Sequence, residues 1–300
     1  MSKLTFPNFE DIKVSTRTFT SNTNLNIDLD KLFNLLPVTE YIEVPKRRGR
    51  KKKGEVIDPN KDIEHGSIIT LMYKDSLRGV NLKKKTKNKG KFFRNSFTVV
   101  IIFDKHINFK VCKNGTFQMT GCKNIEHAMN CVKTIWEYIK DEKDVYTFSR
   151  GNNLEVLFVP VMRNIDFSLG FVVDREKLAQ YIMQETDFFC IFELILSYTG
   201  VNIKIPMEKD IEKLRVTKLT YTKSGYKTEL VTYKEYLNLL PEKDQKNKRK
   251  QSRWNTFLVF HSGNVIMTGI DEEFMRDAYY LFLETIKICY EHIEERLDIK

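Results

Sequence analysis

Lys113-Asn114-Gly115-Thr116-Phe117-Gln118-Met119-Thr120-Gly121-Cys122 returns as His261-Ser262-Gly263-Asn264-Val265-Ile266-Met267-Thr268-Gly269-Ile270, with His261 standing 148 residues after Lys113. A β-rich run precedes each copy and an amphipathic helical pattern follows it. A period of about 150 residues is far too long for a solenoid unit, so the spacing implies a duplicated domain with approximate two-fold symmetry. The division expected is a first repeat over residues 1–150, carrying basic insertions, and a second over residues 151–300. A pseudo-symmetric sheet suits a pseudo-symmetric ligand such as a DNA duplex.

Working outward from the first copy, Phe97 to Phe103, Ile107 to Lys113 and Thr116 to Thr120 read as three strands, with turns at Asp104-Lys105 and Asn114-Gly115. Asn124 then caps a helix on which Ile125, Ala128, Met129, Val132, Ile135, Trp136 and Ile139 share one face. Upstream lie a strand over Ile12 to Ser21, a short helix capped by Asp28 and Asp30, and a strand over Ser67 to Tyr73. Two basic loops are expected there, at 46–53 and 83–91. The second half predicts a strand over Val156 to Phe167 and a helix opened by Asp174, prolonged by the apolar segment after Thr186. Strands follow at Leu214 to Thr222 and Tyr226 to Tyr233, then a third basic loop at Lys246 to Arg253. Thr256 to Phe260, Asn264 to Thr268 and a closing helix from Asp271 to about His292 complete it. This order gives an α+β fold with helices on one side of an antiparallel sheet, leaving the opposite face open.

Alternation assigns that open face. In the first half it carries Asn108, Lys110, Cys112, Gln118 and Thr120, with Ile107, Phe109, Val111, Phe117 and Met119 turned to the helices. In the second half it carries Thr256, Leu258, Phe260, Ile266 and Thr268, against Phe257, Val259, Val265 and Met267 inside. Hydroxyls and amides reach the acceptors on the base edges of a minor groove, and apolar side chains displace water or wedge between base steps. An ordinary half-exposed sheet is the competing account of the same pattern.

Val14-Ser15-Thr16, the two Gly-x-x-x-Met-Thr-Gly elements and Thr256-Phe257-Leu258-Val259-Phe260 resemble the TATA-box-binding protein (TBP) family, in the divergent form found in large DNA viruses. The resemblance implies a duplicated saddle, a curved antiparallel sheet with helices on its convex face, whose concave face enters a widened minor groove. The kinked duplex with inserted wedges is the TBP family's own known mechanism and is carried over with the resemblance. It places groove-reading threonines at Thr120 and Thr268, groove-lining positions at Val14, Gln118 and Ile266, and a wedge at Phe260. Thr16, Lys110 and Leu258 join the DNA-binding set. The first-half counterpart of Phe260 falls on Cys112, a departure, and Phe97 takes the neighbouring wedge position. The first-strand asparagines of the family fall on Ile12 and Phe158, and Asn164 enters the face only if the register slips.

The remaining signals narrow the class. Lys and Arg outnumber Asp and Glu by 50 to 40, a formal net charge of +10 that points to a polyanionic partner. Five cysteines without a Cys-x-x-Cys pair argue against a disulfide framework and for a reducing compartment. The expectation is a transcription initiation factor and not an enzyme, with no cofactor, metal or membrane. Its partners would be double-stranded DNA and a TFIIB-type factor or viral RNA polymerase, and it would bind DNA as a monomer. A saddle-shaped protein-interaction module of the viral transcription machinery, with little or no DNA bending, is the alternative. The resemblance places the chain in a host cell, in a cytoplasmic viral factory or the nucleus, or packaged in the virion. Arg47-Arg48-Gly49-Arg50 resembles the core of an AT-hook without its flanking prolines; targeting signal and solvated loop are the other accounts.

Overall fold

The structure is a computed structural model that describes residues 4–43, 59–82, 95–192 and 200–295. The basic segments 46–53 and 83–91 lie outside the described residues, and with them the AT-hook-like run. In chain order the elements are β1 (Val14–Thr23), β2 (Leu25–Ile27), α1 (Leu29–Leu35), β3 (Ser67–Tyr73), β4 (Ser76–Gly79), β5 (Ser96–Ile102), β6 (His106–Cys112), β7 (Thr116–Cys122) and α2 (Ile125–Ile139). There follow β8 (Tyr146–Phe148), β9 (Leu154–Ser168), α3 (Arg175–Glu185), β10 (Phe189–Ile191), β11 (Val201–Pro206), β12 (Arg215–Thr222) and β13 (Gly225–Thr232). The chain closes with α4 (Tyr233–Asn238), α5 (Glu242–Lys250), β14 (Trp254–Val259), β15 (Asn264–Gly269) and α6 (Glu272–Ile293).

These elements form two compact units. The first holds Thr18–Val159 and Thr217–Leu230; the second holds Met1–Arg17, Pro160–Val216 and Val231–Lys300. In the first, the strand order is β1-β7-β6-β5-β3-β4; in the second it is β9-β15-β14-β11-β10. Both sheets thus place the opening strand beside the last one and run backwards through the chain from there. The duplication seen in the sequence is a duplication of topology.

Each sheet buries one face because its strands alternate. Ile107, Phe109, Val111, Phe117 and Met119 are all at most 1% exposed, packed with Ala128, Cys131, Val132, Ile135 and Trp136 of α2. Asn124 accepts the His127 amide to start that helix, and the buried His127 ring meets Asp104 at 2.9 Å. In the second unit Phe257, Val259, Val265 and Met267 turn inward onto α6, where Phe257 and Phe282 stack at 4.2 Å. Asp271 caps α6 through the Glu273 amide. Gly115 and Gly263 close the turn before β7 and β15 with φ of 70° and 77°. A Cβ at either would fall on a backbone carbonyl, that of Leu25 or of Phe171, so the repeated element needs glycine there for space as well as for its dihedral.

Several expectations are corrected. The apolar segment after Thr186 does not prolong α3. Thr186 is extended, its hydroxyl donates to the Ile182 carbonyl and accepts the Phe188 amide, and Phe189–Ile191 form a strand. The runs read as strands at 214–222 and 226–233 do form a hairpin, β12–β13, but it is not part of the repeated plan. Thr217 to Tyr221 pair with Phe158 to Leu154, and the repeated strand is Val201–Pro206, a run to which the sequence analysis assigns no element. The third basic run is helical through Lys250. Asp28 alone caps α1, while Asp30 sits inside its first turn and meets Lys74.

Candidate nucleic-acid interface

The face turned away from the helices is laid out by strand register. In the first unit Thr98, Lys110 and Gln118 stand side by side across β5, β6 and β7, and Val100, Asn108 and Thr120 form the next row. Asn108 and Lys110 are half-buried, while Gln118 and Thr120 are exposed. The Thr120 hydroxyl donates to the Asn108 carbonyl at 3.2 Å. Beside these rows lies an open groove of about 750 Å³ lined by Asn95, Ser96, Cys112, Lys113, Lys110 and Gln118 among others, with neither a carboxylate nor an aromatic ring in its wall. Burial pushes the Cys112 thiol up against the pull of the Lys110 charge, so this side chain meets the groove as a neutral thiol.

In the second unit one row reads Phe189, Lys204, Thr256, Thr268 and Asn164 across β10, β11, β14, β15 and β9. The next reads Ile191, Asn202, Leu258, Ile266 and Asp166. The Thr268 hydroxyl donates to the Asn164 side-chain oxygen at 2.9 Å, which leaves the amide nitrogen of Asn164 to donate elsewhere. Asp166 is exposed beside Ile266 and brings a negative charge to the same surface. Beneath the Asn164 row, Arg163 is 6% exposed, bonded to Glu272 at 2.8 Å and seated over the Phe9 ring, which ties β9 to the start of α6.

The structure therefore brings Lys110, Gln118 and Thr120 onto one open face, and Leu258, Ile266 and Thr268 onto the other. Phe260 lies in the turn after β14, half-buried, its amide bonded to the Asn264 carbonyl. Val14 is half-buried against the second core, and Thr16 is half-buried as well. Phe97 does not stand at a wedge: it is 1% exposed and packs edge-on to Phe33 and Tyr73, because it alternates with Thr98 on the inner side of β5. Asn164, which the sequence admits to the face only on a slip of register, stands on it beside Thr268. The side chains of β9 buried up to Phe158 include the even-numbered Leu154, Val156 and Phe158, whereas Arg163, Ile165 and Phe167 are buried beyond Pro160, so parity changes within one strand. Among the described residues no group of three or more His, Cys, Asp or Glu is placed to hold a metal ion, and no helix is long and apolar enough to cross a membrane.

No protein-family model matches the chain. It is 28% identical over 289 residues to the uncharacterized protein 335L of Invertebrate iridescent virus 6, covering 91% of this chain and 83% of that one. It is 30% identical over 190 residues to a TATA-box-binding protein-like protein of Acanthamoeba polyphaga mimivirus. That match covers 59% of this chain, which spans about half, 47%, of the mimivirus protein. Among solved structures, the TBP of Methanococcus jannaschii aligns with a TM-score of 0.46 at 15% identity, over 94% of this chain and 99% of that one. With its duplicated strand order and its similarity to proteins of large DNA viruses, the chain is TBP-like.

Proposed function

We propose that the chain is a transcription initiation factor that binds A·T-rich promoter DNA in the minor groove through its open sheet faces, bends it, and holds a TFIIB-type factor or a viral RNA polymerase. The observation that carries this reading is the side-chain sorting on both sheets, where the face away from the helices collects amides, hydroxyls, lysines and a few apolar groups. Amide and ammonium donors suit the acceptors of A·T base edges and the phosphates beside them. The reading gives the chain no catalytic step, and places it as a monomer on DNA, in the nucleus or a cytoplasmic factory of the host cell. A gel-shift series with A·T-rich, G·C-rich and single-stranded probes tests it; equal binding to the two duplexes would overturn it.

A second reading rests on Asp166. Its carboxylate faces the surface that would meet phosphates, which favours a protein-interaction module whose sheet binds polymerase subunits with little bending. Asp166→Asn separates the two: tighter duplex binding fits the first reading, and no change in an already weak binding fits the second.

The threonines give a sharper test. Thr120→Val with Thr268→Val keeps shape and strand propensity while removing both hydroxyls, and with Thr268 goes the bond that orients the Asn164 amide. Competition binding is expected to show a smaller preference for A·T-rich over G·C-rich duplex, with less change in nonspecific affinity. The two wedge positions should differ in the same way. Phe260→Ala is expected to reduce bending and cost about 1–3 kcal/mol of binding, by analogy with lost base stacking, while Cys112→Ala changes little. Energy transfer across a short end-labelled duplex measures both, and equal effects would remove the asymmetry.

A further inference from the structure

The outer edge of the second sheet carries an aromatic surface that the duplex-binding reading does not use. Phe189 on β10 is 52% exposed and Trp254 at the start of β14 is 40% exposed, with ring centroids 6.3 Å apart. Both stand on the open face: Phe189 pairs with Lys204 and Trp254 with Pro206, whereas Phe188, Cys190 and Phe192 pack toward the core. The Lys204 ammonium lies 5.5 Å from the centre of the Phe189 ring. Ile191, 37% exposed, extends the apolar strip along β10.

Two large rings left in water side by side are costly unless something covers them. What covers them must tolerate positive charge. Lys204 sits in the patch itself, and the helix that leads into Trp254 ends Lys248-Arg249-Lys250, with Arg253 directly before the tryptophan. Exposed aromatic faces next to ammonium and guanidinium groups match a ligand that alternates flat rings with anionic links. Single-stranded nucleic acid has that chemistry, because every unpaired base offers a π-face and every link a phosphate. A paired duplex hides those faces within its stack.

We infer that the Phe189–Trp254 edge is a stacking platform for unpaired nucleotides. The chain would then hold a melted or single-stranded segment at this edge, at the β10 end of the rows that continue through Thr256 to Thr268 and through Leu258 to Ile266. This inference does not depend on duplex binding, since the platform needs no minor groove.

Tryptophan emission reads it directly. The chain has two tryptophans, and Trp136 is 4% exposed in the first core, so quenching by a stacked base reports on Trp254. Adding an oligothymidylate of about twelve nucleotides to the full chain is expected to quench emission saturably, and Phe189→Ala to weaken that binding about tenfold or more. Trp254→Phe keeps a ring, so it is expected to lose the quenching while retaining most of the affinity measured by fluorescence anisotropy of a labelled oligonucleotide. Both positions are exposed, so the variants should fold. Absence of saturable quenching, or Phe189→Ala binding as tightly as the parent, overturns the platform. A parallel titration with A·T-rich duplex keeps the readings apart: duplex binding without oligothymidylate binding removes only the platform, and the reverse removes only the duplex reading.

Discussion

Raising salt from about 50 to about 200 mM is expected to weaken binding to an A·T-rich duplex about a thousandfold, if about 6 phosphates are neutralised. Each neutralised phosphate releases condensed counterions, and that release is worth less as bulk salt rises. The cations on hand include Lys110 and Lys113 beside the amide-lined groove, Lys204 on β11 and the basic end of α5. The slope of log affinity against log salt counts the contacts, so Lys110→Gln with Lys113→Gln should flatten it by about 2. A flat dependence in the parent protein would remove DNA as the main ligand.

Gly263→Ala is expected to destabilise the second unit by about 3 kcal/mol, read as a lower denaturation midpoint without a change of slope. Two costs add. The residue has a φ of 77°, which a side chain disfavours, and a Cβ would come within 2.0 Å of the Phe171 carbonyl oxygen. Gly121 separates the two costs, since its φ is 81° and a Cβ there would meet nothing within 4 Å. Gly121→Ala should therefore cost only about 1–2 kcal/mol. Equal losses at the two sites would mean that the backbone around Phe171 yields.

The parts of the fold that could be read from sequence were those where one period dominates over many residues. Ile107 to Cys112 and Thr116 to Thr120 alternate strictly on either side of one turn, and α2 and α6 keep an apolar stripe over 15 and 22 residues, so their faces followed directly. Phe188 to Phe192 are five apolar or sulfur-bearing residues in a row, and no contrast of polarity marks a period of two. Only the packing of Phe188, Cys190 and Phe192, with Phe189 and Ile191 outward, shows the strand. Val201 to Pro206 does alternate, but the longer runs of the β12–β13 hairpin occupied the expected strand positions. On the open face, Lys110, Gln118, Thr120, Leu258, Ile266 and Thr268 were legible from alternation alone. Phe97 was not, because a large ring looks the same in sequence whether it faces a ligand or Tyr73. Asn164 depended on the parity change near Pro160, which no local pattern announces.

The hairpin β12–β13 also bears on how the protein is made. The first core includes Leu154, Val156, Phe158 and Leu219, and the second includes Phe9. A ribosome that has finished the first repeat has therefore released a sheet that is still incomplete, and the Leu154 to Phe158 stretch waits with its backbone edge bare until β12 emerges. A gene cut between the repeats would give two fragments with neither core whole. Duplication supplied the plan twice, but the chain has since lent pieces of each copy to the other, so that synthesis must run well into the second copy before the first can close.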